Sequence, residues 1–282
     1  MCCDAMRATM AAGDQIVTQP AGGRGASLTV RYGLPRSARQ LHGQTLGTTR
    51  KFRVEERVQR LIADFDHYLN WYDEHVPFDR PDQLNSHIGT ISRRLMVGTA
   101  AAAATDPEFC QNLYRTLQRW GIGQRGSRLV SRESFEKAVA LAAPEIAKLD
   151  GTAIDDPSLD ADGIAAQLWS VIHSLTIVEN KANLVPCTKA LHHLLPDLVV
   201  PMDREYTRTF FGLHAPEFQG HGRTDGQRSV FTRMFCALVR IAQATNPQSY
   251  VGAERPWRTS RTKVLDNAIV GFCMAEGLKR PS

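Results

Sequence analysis

Lys189 and Asp203 are the two residues whose types and setting could do chemistry together. An unprotonated lysine amine attacks electrophilic carbon, and near neutral pH it is available only when partly desolvated. A neighbouring carboxylate can take up the proton the amine sheds, or stabilise a cation forming on the substrate. The elements that would hold them are short. Pro186 and Cys187 precede Thr188, whose hydroxyl can cap a helix by accepting from an orphan N–H of the first turn. That places Lys189 near the helix start. Leu191, Leu194 and Leu195 recur at helical spacing, so one face is buried. Pro196 stops the helix and Pro201 reinforces the break. Asp203 stands ahead of Tyr206, Phe210 and Phe211, where it can cap the next helix and complement its dipole.

Taken as one unit, residues 183–212 run from a turn through Thr188-Lys189 and a short apolar helix to Pro201-Met202-Asp203. This pattern resembles the helix–hairpin–helix DNA glycosylase superfamily. The resemblance implies a Schiff-base nucleophile at Lys189, a supporting carboxylate at Asp203, and a substrate base drawn out of DNA. Where that family carries a glycine-rich hairpin turn, this chain has Asn183-Leu184-Val185-Pro186-Cys187. The stretch is also similar to a group of uncharacterised bacterial proteins. Three readings stay open for the pair: catalysis, nucleic-acid binding without catalysis, and capping or ion pairing in a non-enzymatic interaction protein.

Net charge supports the nucleic-acid reading once it is divided along the chain. The total is +5, but residues 1–50 carry six Lys/Arg against two Asp/Glu, residues 51–180 carry 14 against 19, and residues 181–282 carry 14 against eight. Segregated positive charge suits a polyanion, with DNA the expected partner. Thr188, Arg204 and Lys263 in the basic third are candidate contacts, as are Arg125 and Arg128 in a glycine loop. Gly121-Ile-Gly-Gln-Arg-Gly126 matches a dinucleotide fingerprint only formally: it follows a helix rather than a buried strand, so a helix C-cap explains its glycines.

Other chemistries lack their spacing. The six cysteines include no C-x-x-C pair, and neither H-E-x-x-H nor G-x-S-x-G occurs. His192 and His193 are adjacent and leave a helix on different sides, so no metal and no cofactor is expected. No apolar run is long enough to span a membrane. Asp4, Arg7 and Asp14 interrupt any signal-peptide core, so a cytoplasmic protein is expected.

The expected fold is all-α: a multi-helix globular body over residues 51–282, with residues 1–50 a disordered basic arm. The acidic stretch 150–162 is the candidate boundary if the body divides into two lobes. Val54, Val58, Leu61, Ile62, Phe65, Leu69 and Tyr72 predict one long helix from Lys51. Further helices are predicted from Pro81 with Asp79 as cap, after Thr105-Asp106-Pro107, from Ser131 with Pro144 kinking or splitting it, and from Thr259 or Ser260. The last contains Thr262-Lys263-Val264-Leu265-Asp266, an echo of Thr188-Lys189-Ala190-Leu191.

Overall fold

Helical periodicity dictates almost everything in the computed structural model, which describes residues 53–78, 80–123, 127–180, 183–219, 224–252 and 254–278. The expected arm, Lys51, Asp79 and Arg125 lie outside the described residues. Among those described there is no strand, only an isolated antiparallel bridge between Leu129 and Val178. No described helix is long and apolar enough to cross a membrane. The described residues all belong to one compact unit.

The first stripe folds as two helices in register, α1 (residues 53–63) and α2 (Phe65–His75), separated by a turn at Asp64. Val58, Leu61, Phe65, Tyr68, Leu69 and Tyr72 face inward, as a repeat of three to four requires. They pack on the last helix, α12 (Arg261–Ala275), which is buried at every position from Thr262 to Met274. A helix apolar or pair-bonded all round belongs at the centre of a bundle. Gly271 makes the approach possible: a Cβ there would lie 2.0 Å from the Tyr68 carbonyl oxygen. Gly271→Ala is therefore expected to destabilise the fold by about 1–3 kcal/mol through overpacking, outweighing the roughly 1 kcal/mol it adds in helix propensity. A urea midpoint at or above that of the wild type would show that α2 and α12 are farther apart.

Between these helices run α3 (Pro81–Val97), α4 (Ala100–Thr105), α5 (Pro107–Arg119), α6 (Arg132–Ala147), α7 (Ala161–Ser174), α8 (Leu184–Leu194), α9 (Tyr206–Phe210), α10 (Ala215–Gln219) and α11 (Thr224–Thr245). Side-chain caps open many of them. Asp106 accepts from Phe109, Ser131 from Ser134 and Ser260 from Lys263. Helix α6 continues through Pro144 without splitting in two, although the proline supplies no N–H to the Ala140 carbonyl one turn back. The alanine run forms its own short helix, set off by Gly98 in the left-handed region and capped by Thr99.

Segment 150–162 is stitched into this unit rather than dividing it. Ile154 is fully buried and its N–H donates to the Asp197 carbonyl at 2.9 Å. Arg261 ties Asp155 at 2.5 Å to Asp197 at 3.0 Å. Buried Arg94 donates to the carbonyls of Leu194 (2.7 Å) and Gly98 (2.9 Å) and to Asp150 (2.6 Å), so α3, α4 and α8 share one anchor. Asp73 on α2 accepts from Trp257 at 2.6 Å and from Arg258, clamping the loop that leads into α12.

Candidate active site

Helix α8 is buried at every residue except Lys189 and so presents one amine to a cleft. The helix begins at Leu184, earlier than its proline suggests. Pro186 occupies the first turn, where the missing N–H costs nothing. Thr188 is therefore not a cap. It is fully buried, and its hydroxyl donates to the carbonyl of Leu184 (2.8 Å) while accepting from the N–H of Met202 (3.3 Å). That second bond draws the strap after α8 back along the helix, and Asp203 lines the same cavity as Lys189.

Asp203 opens the turn into α9. Its carboxylate accepts the N–H groups of Glu205 (2.6 Å) and Tyr206 (2.5 Å), and the Thr207 hydroxyl accepts the Asp203 N–H (3.0 Å). These bonds form a turn ahead of α9, whose N-cap is Glu205 rather than Asp203, and hold the carboxylate in place. Trp120 is set by a different device. Gly121, at φ 78°, closes α5 with bonds from Gly121 N–H to Gln118 and from Ile122 N–H to Leu117, both 3.0 Å. The Trp120 carbonyl then accepts from Lys189 Nζ at 3.3 Å, and that Nζ lies 5.4 Å from the indole centroid.

Helix α12 supplies the other half. Lys263 Nζ donates to Asp266 at 2.5 Å and stands 4.9 Å from the Phe78 ring centroid. The two echoed Thr-Lys-x-Leu stretches thus send their lysines into one cavity of about 420 Å³, whose walls include Tyr72, Phe78, Trp120 and Tyr206. Lys189 has no ion pair among the described residues, whereas Lys263 is held by its own helix. Burial lowers the Lys189 pKa, with Lys263 and Arg204 pushing the same way against Asp203 and Asp266. Burial also raises the Asp203 pKa, helped by Asp266 and opposed by Lys189 and the two backbone N–H groups. Burial thus shifts both members of the pair toward their uncharged forms.

Beneath the cavity lie His87, His192 and His193, with ring centroids 5.0–5.5 Å apart. Their tautomers follow from their partners. His193 Nδ1–H donates to the Lys189 carbonyl (2.8 Å), leaving Nε2 to accept from His87 Nδ1–H (3.0 Å). His87 Nε2 then accepts the Thr259 hydroxyl at 2.7 Å, and His192 Nδ1–H donates to the Val199 carbonyl at 3.0 Å. All three are buried and neutral. Burial drives His87 and His192 well below the ordinary range and His193 to about 4. Among the described residues no group of three His, Cys, Asp or Glu is arranged to hold a metal.

The candidates named from sequence divide clearly. Lys189, Asp203 and Lys263 line the cavity. Arg204 lines an adjoining one and donates to Ser127 at 2.9 Å. Thr188 is in the core, and exposed Arg128 pairs with Glu179 at 3.4 Å and lines neither cavity. Trp120, Phe78 and His87 were not expected at a site, and Asp266 was visible only as the tail of the echo. A larger cavity of about 660 Å³ shares no lining residue with this one, and its Arg240 and Glu55 are paired at 2.8 Å. Compared with known proteins, the chain matches no family model, no curated protein and no solved structure.

Proposed function

We propose that the chain is a lysine-dependent DNA glycosylase or lyase, in which Lys189 attacks the sugar C1′ of a nucleotide drawn out of the stack. One observation carries the reading: the aromatic cavity holds two lysines, and Lys189, which makes no ion pair among the described residues, lines it together with Asp203, burial lowering the pKa of the amine and raising that of the carboxyl. At an abasic sugar the amine lone pair forms the C1′–N bond and the aldehyde oxygen takes up a proton. The resulting hydroxyl takes up a second proton, returned to it by the Asp203 carboxyl, and leaves as water, giving the protonated imine. Asp203 takes the proton that Nζ sheds and supports the cationic carbon. Lys263 pushes the Lys189 pKa down and Asp266 pushes it up, so burial remains the main influence favouring the free amine.

Borohydride trapping on an abasic-site duplex tests this. The wild type is expected to form a covalent adduct and Lys189→Ala none, with both folded by circular dichroism. Asp203→Asn is the cleaner second variant, because asparagine forms the same turn as aspartate but takes no proton. It is expected to slow trapping about 10²- to 10⁴-fold at unchanged stability. Adduct formation by Lys189→Ala at the wild-type rate would refute the assignment.

A further inference from the structure

The cavity that holds Lys189 and Asp203 is one of two, and their walls differ in kind. Gln83, Trp120, Lys189, Asp203 and Tyr206 line both, so the reacting pair stands on the shared boundary. On one side the lining is aromatic and its lysines and aspartates balance. On the other, a cavity of about 410 Å³, three arginines face two carboxylates, Arg80, Arg119 and Arg204 against Asp203 and Glu205, with Lys189 at the boundary. Both volumes fall in the range of small-ligand sites, roughly 300–1,000 Å³.

The arginines come from three separate elements and are held differently. Arg204 follows Asp203 and is braced by Ser127. Arg119 ends α5 and is braced by the Asp82 carbonyl at 3.3 Å and by Ser86. Arg80 precedes α3 and is exposed, and among the described residues its guanidinium makes no hydrogen bond or ion pair. Planar guanidinium forks converging on one hollow suit a tetrahedral anion, and Arg is the side chain that binds phosphate bidentately. Beside Trp120, such an anion would lie next to an aromatic seat for a base, with the sugar between them over Lys189.

We infer that the arginine-lined cavity seats a phosphate of the substrate, so that the two cavities together take a nucleotide unit: base among Phe78, Trp120 and Tyr206, phosphate against Arg80, Arg119 and Arg204, sugar at Lys189. This rests on the reading of Lys189 as the attacking amine only for the placement of the sugar. The phosphate belongs either to a free mononucleotide or to the phosphodiester of a strand.

Calorimetry with the full chain tests it, using 2′-deoxynucleoside 5′-monophosphates against the matching nucleosides, and a short single strand carrying one abasic site. A free-nucleotide site is expected to prefer the monophosphate by about ten- to a hundred-fold, and Arg80→Ala to collapse that ratio. A strand site is expected to show no such ratio, yet to lose a similar factor for the oligonucleotide in Arg80→Ala and not in Arg132→Ala, whose arginine pairs with Glu136 on α6. If no probe binds, or if neither the ratio nor strand affinity depends on Arg80, the inference is overturned. Arg80→Glu, predicted to weaken phosphate binding further, guards against a small effect of simple truncation. The two readings fail separately. Arg80-dependent binding with no borohydride adduct would sink the imine and leave the phosphate seat. An adduct formed equally well by Arg80→Ala would do the reverse.

Discussion

The urea midpoint of this chain is expected to fall steeply as pH drops from 6.5 toward 4.5. His87, His192 and His193 are buried and neutral, and all three have pKa values depressed by that burial. In the unfolded chain each titrates near 6.5. Below that pH the unfolded state takes up protons that the folded state refuses, until the folded pKa is reached, at about 4 for His193. The stability they provide is therefore complete above 6.5 and lost as pH falls. Each unmatched proton costs about 1.4 kcal/mol per pH unit. Three together approach 4 kcal/mol per unit, against a typical total stability of about 5–15 kcal/mol. Asp203 works in the opposite sense, since its raised pKa lets the folded state bind a proton more readily, but it is one group. The lowered carboxylates Asp106, Asp156 and Glu276 lose their contribution at lower pH, below the ordinary carboxylate range. His193→Gln should remove about a third of the slope between 6.5 and 4.5. A midpoint flat across that window would mean that the rings are hydrated or already charged.

Asp266→Ala is expected to destabilise the chain by about 3–5 kcal/mol, because it strands the Lys263 ammonium inside the bundle. Lys263 is 5% exposed and its charge is met by Asp266 at 2.5 Å, one turn along the same helix. A buried pair as a whole adds little, since desolvation of both ions offsets their attraction; removing one member leaves that cost uncompensated. The double variant Lys263→Met/Asp266→Leu should accordingly recover most of the loss. Equal losses in single and double variants would show that packing around α12, not charge, sets the effect. Asp266 also helps to hold the Lys189 pKa up against burial. In any Asp266→Ala protein that stays folded, the pH profile of borohydride trapping should move to lower pH.

Features that depend on neighbouring residues along the chain are legible before the fold is known. Apolar residues at intervals of three and four specify helices wherever they occur, and α1, α2, α5 and α11 could be read directly because a helix buries a stripe of its own residues. Ser131 and Ser260 could be read as caps for the same reason: a cap bonds within its own first turn. Lys189 and Asp203 were visible as a pair because one short strap joins them. Local rules misled where a neighbour decided the outcome. Thr188 has the chemistry of a cap, but Pro186 is tolerated in the first turn, and the hydroxyl went instead to Leu184 and Met202. The acidic run at 150–162 has the composition of a linker, but Arg261 and the Ile154 N–H bind it to distant groups. The surroundings of the lysine follow from long-range packing. Trp120 comes from the end of α5, Lys263 and Asp266 from α12, His87 from α3 and Arg80 from its threshold, and no periodicity links them. Whether an amine is desolvated, and which of two lysines is paired with a carboxylate, depends on groups brought together by burying helices around α12, and that packing is not written in any single stretch of the chain.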